Sequence, residues 1–294
     1  MLEVVKFIEA GTARTQEHSV SLFGQGDRYF YRIGHGLLLN THNANRFVHR
    51  NVRDSHRRLK IGYVSPDFKR HSVGYFFHEI IRHHDHERFE IYCYAISAKK
   101  DDLTRKIAGQ ATLFCNASGL TDFDLARRIH NDRIQILVDL AGHTANNRLL
   151  VFARKPAPVQ VTWLGYPDTT GMPVMDYRLT DEIADPEGKS EKYHSETLVR
   201  MKNGFLCYAP PDGAPDISSL PAFQADHITF GSFNNLPKVN EKVIQVWSNI
   251  LNQMPGSSLL LKSKQFADES TKQRYMNLFL QNQIAPGRIK MLSR

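Results

Sequence analysis

From Leu59 onward, apolar runs alternate with segments of helical period. LKIGYVS (59–65) is an apolar strand that ends on a polar loop, Pro66 to Ser72. Val73, Phe76, Phe77, Ile80 and Ile81 then recur at helical spacing and predict an amphipathic helix laid on a sheet. FEIYCYA (89–95) and ATLFCN (111–116) read as the next strands, with a polar helix around Asp101 to Gly109 between them. IQILVDL (134–140) is the fourth strand. A short helix around Arg148 to Ala153, a turn at Pro156 and Pro158, and the strand VQVTWLG (159–165) follow it. This order predicts an α/β fold, with one doubly wound Rossmann-like domain over 58–180.

Residues 181–226 are rich in proline, glycine and charge, with PPDGAPD at 210–216, and are expected to be a linker. Alternation then resumes over 227–294. ITFGSF (228–233) ends in the loop NNLPK, and Val243, Ile244, Trp247, Ile250 and Leu251 mark a strongly amphipathic helix. SSLLLKS is a strand, ESTKQRYMNLFLQN a helix and IKML a further strand. Three strands and two helices make half a doubly wound domain with an open edge, so the chain is expected to be a fragment. Residues 1–57 carry no sustained period and are left as a poorly defined N-terminal segment.

Composition narrows the class. With 41% hydrophobic residues in 294, the chain can fill two cores. Cys93, Cys115 and Cys207 match no zinc or redox spacing and read as reduced thiols of the cytoplasm. MLEVVKFIEAG is too charged for a secretory signal, and no apolar run approaches the ~18 residues of a membrane span. The net charge of +8 is spread out except at Arg50, Arg53, Arg57, Arg58 and Lys60, a patch read as solvated rather than as a nucleic-acid site. His83, His84 and His86 close the first helix and are expected to face water. Asp122-Phe123-Asp124 spells a metal-binding D-x-D, but Thr121 before it makes a helix start the better reading, and no metal is assigned.

Candidate chemistry follows the strands. Asp139, His143, Thr144, Asn146 and Asn147 come after the fourth strand, and Tyr166, Asp168, Thr169 and Thr170 after the fifth. In an open parallel sheet, ligands sit beyond the carboxyl ends of strands. His71 stands just before the first helix, where the positive helix end favours neutral imidazole with a lone pair for a proton. Lys238 stands just before the helix starting near Asn240, so an ammonium and a helix N-terminus would meet one anion.

Long stretches of the chain are similar to one known family. LKIGYVSPDF with His71, DLAGHTANN, RKPAPVQVTWLGYPDTTGMPVMDYRLTD, FLCYAPP and FGSFNNLPK resemble the catalytic region of the tetratricopeptide-linked protein O-glycosyltransferases. These are the O-GlcNAc transferases and the plant SPINDLY-type O-fucosyltransferases. GHTANN, PVQVTW and FGSFNN look closest to the bacterial and SPINDLY-like branch. The resemblance runs from about Leu59 to Arg294 and implies a two-lobed GT-B architecture: an acceptor-side lobe, then a donor-side lobe of which the first half is present. It implies inverting transfer to protein Ser or Thr from a nucleotide sugar, most simply UDP-GlcNAc, with GDP-fucose as the alternative and no metal or other cofactor. By position, His71 matches a histidine near the acceptor hydroxyl, Lys238 the lysine at the leaving diphosphate, and Asn235 an amide contacting the nucleotide. Asp139 and His143 fall in a cleft-lining loop, and Tyr166, Thr169 and Thr170 in a loop on the acceptor side. Tetratricopeptide repeats are expected in the full-length protein. A later histidine of the family's donor site lies beyond the matched motifs, so an inactive fragment acting only as a binding module is the remaining alternative.

Overall fold

The computed structural model describes residues 47–49, 57–210 and 213–293. The chain divides into two compact units, 1–210 and 211–294. Most of the N-terminal segment, with Arg50 and Arg53, lies outside the described residues.

The first unit is a seven-stranded sheet of order β3-β2-β1-β4-β5-β6-β7, parallel at every pairing. Its strands are β1 (Leu59–Ser65), β2 (Phe89–Ala95), β3 (Leu113–Asn116), β4 (Ile136–Asp139), β5 (Val159–Thr162), β6 (Tyr177–Thr180) and β7 (Thr197–Arg200). The helices between them are α1 (Ser72–Arg82), α2 (Asp102–Gln110), α3 (Asp122–Asn131) and α4 (Leu149–Ala153). Both faces of the sheet are buried. Ile61, Tyr63, Ile136 and Val138 meet α1 and α2 through Val73, Phe77, Ile81, Leu103 and Ile107 on one side. Val64 and Leu137 meet α3 and α4 through Leu125, Ile129, Val151 and Phe152 on the other. Burial on both faces is why these strands read as continuous apolar runs rather than alternating ones.

Several expectations need correction. The segment 181–226 is not a plain linker: it carries β7, which pairs with β6 and extends the first sheet, and a short helix α5 (Ala222–Ala225). β6 was not foreseen either. Its polar Arg178 is 3% exposed and is neutralised there by Asp185 at 3.1 Å. The strands after Ala111, Ile134 and Val159 are shorter than their apolar runs, because Ala111 caps α2, the Ile134 amide bonds back to Ile129, and Trp163 to Gly165 turn away toward the site. His84 does not face water: it is 6% exposed, with Tyr63 Oη 2.8 Å from its Nε2.

The helix reading of the D-x-D is the observed one. Thr121 caps α3, its Oγ1 accepting from the Asp124 amide at 3.1 Å, while Asp124 pairs with Arg127 and Asp122 with Arg148. The basic patch is partly neutralised, since Arg58 and Lys60 both face Glu90.

The second unit is a three-stranded parallel sheet of order β10-β9-β8. It is formed by β8 (Thr229–Ser232), β9 (Ser258–Lys262) and β10 (Ile289–Leu292), with α6 (Glu241–Gln253) and α7 (Glu269–Gln281). Ile244, Leu251, Leu259, Leu261, Phe266 and Phe279 make its core. No helix among the described residues is long and apolar enough to cross a membrane.

Candidate active site

In the first sheet β1 lies between β2 and β4, although two strands, β2 and β3, separate it from β4 in the chain. The order therefore reverses at β1 and β4, and the crevice beyond their carboxyl ends is the topological switch point where such sheets bind ligands. Val64 pairs with Asp139, and Asp139 with Thr162, so the loops after β1, β4 and β5 leave the sheet at one level. Those loops carry His71, His143 and Tyr166.

Asp139 sits beneath this crevice rather than in it. Its carboxylate is 1% exposed and accepts from the amides of Ala141 at 3.1 Å and Gly142 at 2.8 Å and from Thr162 Oγ1 at 3.0 Å. Burial pushes its pKa up, against those three hydrogen bonds. The residue folds the 140–142 turn; it does not present a carboxylate to a ligand. Gly142 in that turn has φ +54°, and a Cβ there would fall 2.3 Å from Cβ of Tyr166. A Cβ on Gly165 would fall 2.0 Å from the carbonyl oxygen of Leu140. Two glycines thus let the two loops press together, at positions where no side chain fits.

The pressed loops share their polar groups. His143 Nε2–H donates to the Thr170 carbonyl at 2.9 Å, and its ring stands edge-on to Tyr166 with centroids 5.4 Å apart. Burial raises the Tyr166 pKa. Thr169 and Thr170 are buried and bound to Glu196, a residue with no signal in the local sequence: Thr169 Oγ1 donates to it at 2.6 Å, the Thr170 amide at 2.8 Å, and the Thr170 hydroxyl as well. These threonines shape the loop from inside.

His71 is the N-cap of α1, with Nδ1 accepting from the Val73 amide at 3.3 Å. Its side chain is 46% exposed. The ring thus stands at the N-terminus of α1, the position read from the sequence.

In the second unit, Asn235 opens a tight turn, Leu236–Lys238, whose last amide donates back to the Asn235 carbonyl at 2.9 Å. Buried Leu236 and Val239 anchor it, and Tyr275 Oη donates to the Leu236 carbonyl at 3.2 Å. Lys238 is exposed, and two residues later Asn240 caps α6, accepting from the Val243 amide. No salt bridge to Lys238 is found among the described residues. An exposed ammonium beside a helix N-terminus is suited to a phosphate group.

The sequence pattern of glycosyl transferase family 41 matches residues 37–209. The chain is 42% identical over 246 residues to the "probable UDP-N-acetylglucosamine–peptide N-acetylglucosaminyltransferase SPINDLY" of Petunia hybrida, covering 82% of this chain and 26% of that one. It is 34% identical over 218 residues to the corresponding SEC protein of Arabidopsis thaliana, covering 70% of this chain and 22% of the relative. Among solved structures it is similar to a lysine-to-methionine variant of the O-GlcNAc transferase of Thermobaculum terrenum. The TM-score is 0.81 at 33% identity, over 93% of this chain and 52% of the other. The chain thus spans about a quarter of the length of these curated relatives and about half of the solved one. The fold is the GT-B type expected from the motifs. By the match of more than half its length, the chain belongs to glycosyl transferase family 41.

Proposed function

We propose that the chain is the catalytic region of a protein Ser/Thr O-glycosyltransferase that transfers GlcNAc from UDP-GlcNAc with inversion and without a metal. The observation that carries this is Lys238, exposed on a rigid turn immediately before the N-terminus of α6. In the reaction the acceptor hydroxyl oxygen forms a bond to the anomeric carbon while the bond from that carbon to the diphosphate oxygen breaks. The hydroxyl proton leaves to a base, for which His71 is the candidate, and the negative charge gathers on UDP. Lys238 and the amides opening α6 supply positive charge where it gathers, which is the kind of stabilisation that lowers such a barrier most. Asn235 contacts the nucleotide, and the loop of Tyr166, Thr169 and Thr170 shapes the acceptor side together with His143. The acceptor protein is selected by tetratricopeptide repeats in the full-length protein. The reduced thiols Cys93, Cys115 and Cys207 suit the cytoplasm.

A second reading, fucosyl transfer from GDP-fucose, rests on the resemblance of GHTANN, PVQVTW and FGSFNN to the SPINDLY-like branch of the family.

Calorimetry with UDP and with GDP separates the readings. UDP binding that is weakened at least tenfold by Lys238→Ala is the expected result, a loss of about 1.4 kcal/mol or more. Binding of GDP in preference to UDP would move the assignment to fucose. Absence of binding to both would leave a non-catalytic module.

A further inference from the structure

The ring of His71 faces two partners that make opposite demands on the same nitrogen. Nδ1 lies 3.3 Å from the Val73 amide, which requires a lone pair there. It also lies 3.5 Å from Asp67 Oδ2, which requires a proton there. In the first arrangement the ring proton is on Nε2, and the outward nitrogen is a donor that cannot take a proton from a hydroxyl. In the second the proton is on Nδ1, and Nε2 presents a lone pair outward. The neutral imidazole has only one ring proton to place.

Asp67 is built to compete for it. The carboxylate is 15% exposed, and its other oxygen, Oδ1, is held by Lys69 Nζ at 3.3 Å. Lys69 is itself fixed to the Pro66 carbonyl at 2.8 Å. The Asp67 amide donates to Ser65 Oγ at 3.0 Å, and the Phe68 carbonyl accepts from buried Thr104 Oγ1 at 2.7 Å. Gly74, in the first turn of α1, completes the placement. A Cβ there would meet the carbonyl oxygens of Lys69 at 2.1 Å and Asp67 at 2.8 Å. The helix start therefore sits directly on the Asp67–Lys69 turn, and the cap residue His71 is brought over the carboxylate. A hydrogen bond to a carboxylate is about twice as strong as one between neutral groups, and the competing bond from the Val73 amide is long, at 3.3 Å.

We propose that Asp67 is a positioning residue of the candidate site: it draws the ring proton of His71 onto Nδ1, so that Nε2 offers its lone pair to the acceptor hydroxyl. This rests on the reading of His71 as the base in O-glycosyl transfer. When the hydroxyl oxygen bonds to the anomeric carbon, its proton passes to Nε2, and the resulting imidazolium donates from Nδ1 to Asp67. The carboxylate stays ionised throughout, as the orienting group of a catalytic triad does.

Two measurements test the inference separately from the reading beneath it. Nitrogen-15 NMR of histidine-labelled protein reports the His71 tautomer without any substrate. The expected result is a ring protonated mainly on Nδ1, which shifts toward Nε2 in Asp67→Asn. A tautomer unaltered by that substitution overturns the inference. In transfer assays on the full-length protein, Asp67→Asn is expected to lower kcat on the order of 100-fold, with KM for the acceptor changed less than about twofold. Asp67→Glu, which keeps the charge, is expected to restore part of kcat. Adding Asp67→Asn to His71→Ala is expected to cost nothing further, because both act through one group. A rise in KM alone, or full additivity in the double variant, would assign Asp67 a structural role instead. If His71→Ala itself leaves kcat intact, the base assignment fails while the NMR result stands.

Discussion

Glu196 grips Thr170 twice, accepting from its backbone amide at 2.8 Å and from its hydroxyl. The same carboxylate takes the Thr169 hydroxyl at 2.6 Å, so the residue just before β7 holds the loop after β5. Glu196 is 5% exposed, and its removal leaves the Thr170 amide and hydroxyl without an acceptor and the Thr169 hydroxyl with only Ser195 Oγ at 3.3 Å. Glu196→Ala is predicted to destabilise the first unit by about 3 kcal/mol or more, with Glu196→Gln intermediate because it keeps one acceptor oxygen. Urea unfolding of the two variants measures this, and an unchanged midpoint in Glu196→Ala would show the clamp to be dispensable.

Gly165→Ala and Gly142→Ala are predicted to be more severe than an ordinary loop substitution. The first drives a methyl group to 2.0 Å from a carbonyl oxygen; the second adds left-handed backbone strain to a 2.3 Å clash with Tyr166. Each should cost about 3 kcal/mol, which lowers the thermal midpoint of a unit this size by roughly 6–12 °C. A methyl scan across exposed Gly188, where nothing lies within 4 Å, is the internal control for contact.

His84 predicts a pH dependence of stability. Burial lowers its pKa from 6.5 to about 4. As pH falls below 6.5 the unfolded chain takes up this proton while the folded one does not. The contribution is therefore fully present above pH 6.5 and is lost progressively down to about 4. Its full size is on the order of 3 kcal/mol. The double variant Tyr63→Phe/His84→Phe removes the titrating group without leaving the tyrosine hydroxyl unpaired. Its urea midpoint should fall less between pH 7.5 and pH 4.5 than that of the native protein, and an equal fall would place the dependence elsewhere.

The alternation of strand and helix was legible wherever one local pattern decided the outcome. Strand β1, amphipathic α1 and the capped α3 follow from runs and periods within about ten residues, so the sheet could be read from Leu59 to Thr162. Strands β6 and β7 could not. YRLT and TLVR are four residues long, and Arg178 reads as a surface residue until Asp185 is known to lie against it. The site shows the same division. The placing of His71 at a helix start and of Lys238 before α6 is readable from the local pattern, while the roles given to them rest on the resemblance to the glycosyltransferase family. Asp139 and the two threonines read as polar loop residues open to a ligand, and they are buried because Ala141, Gly142, Thr162 and Glu196 supply their partners. Likewise His84 reads as a water-facing helix end because Tyr63, its partner, lies on another element.

The contact between Gly142 and Tyr166 also bears on how this scaffold can be modified. Loops at strand ends are ordinarily treated as independent inserts, exchanged one at a time to alter specificity. Here a Cβ at Gly142 in the 140–147 loop would clash with Tyr166, and the 166–171 loop is anchored by a residue 25 positions beyond its end. Segments 140–147, 163–171 and 194–196 therefore constitute one cassette. A graft that carries all three should retain its shape in a new host, whereas a graft of any single one brings in a shape whose mould has been left behind.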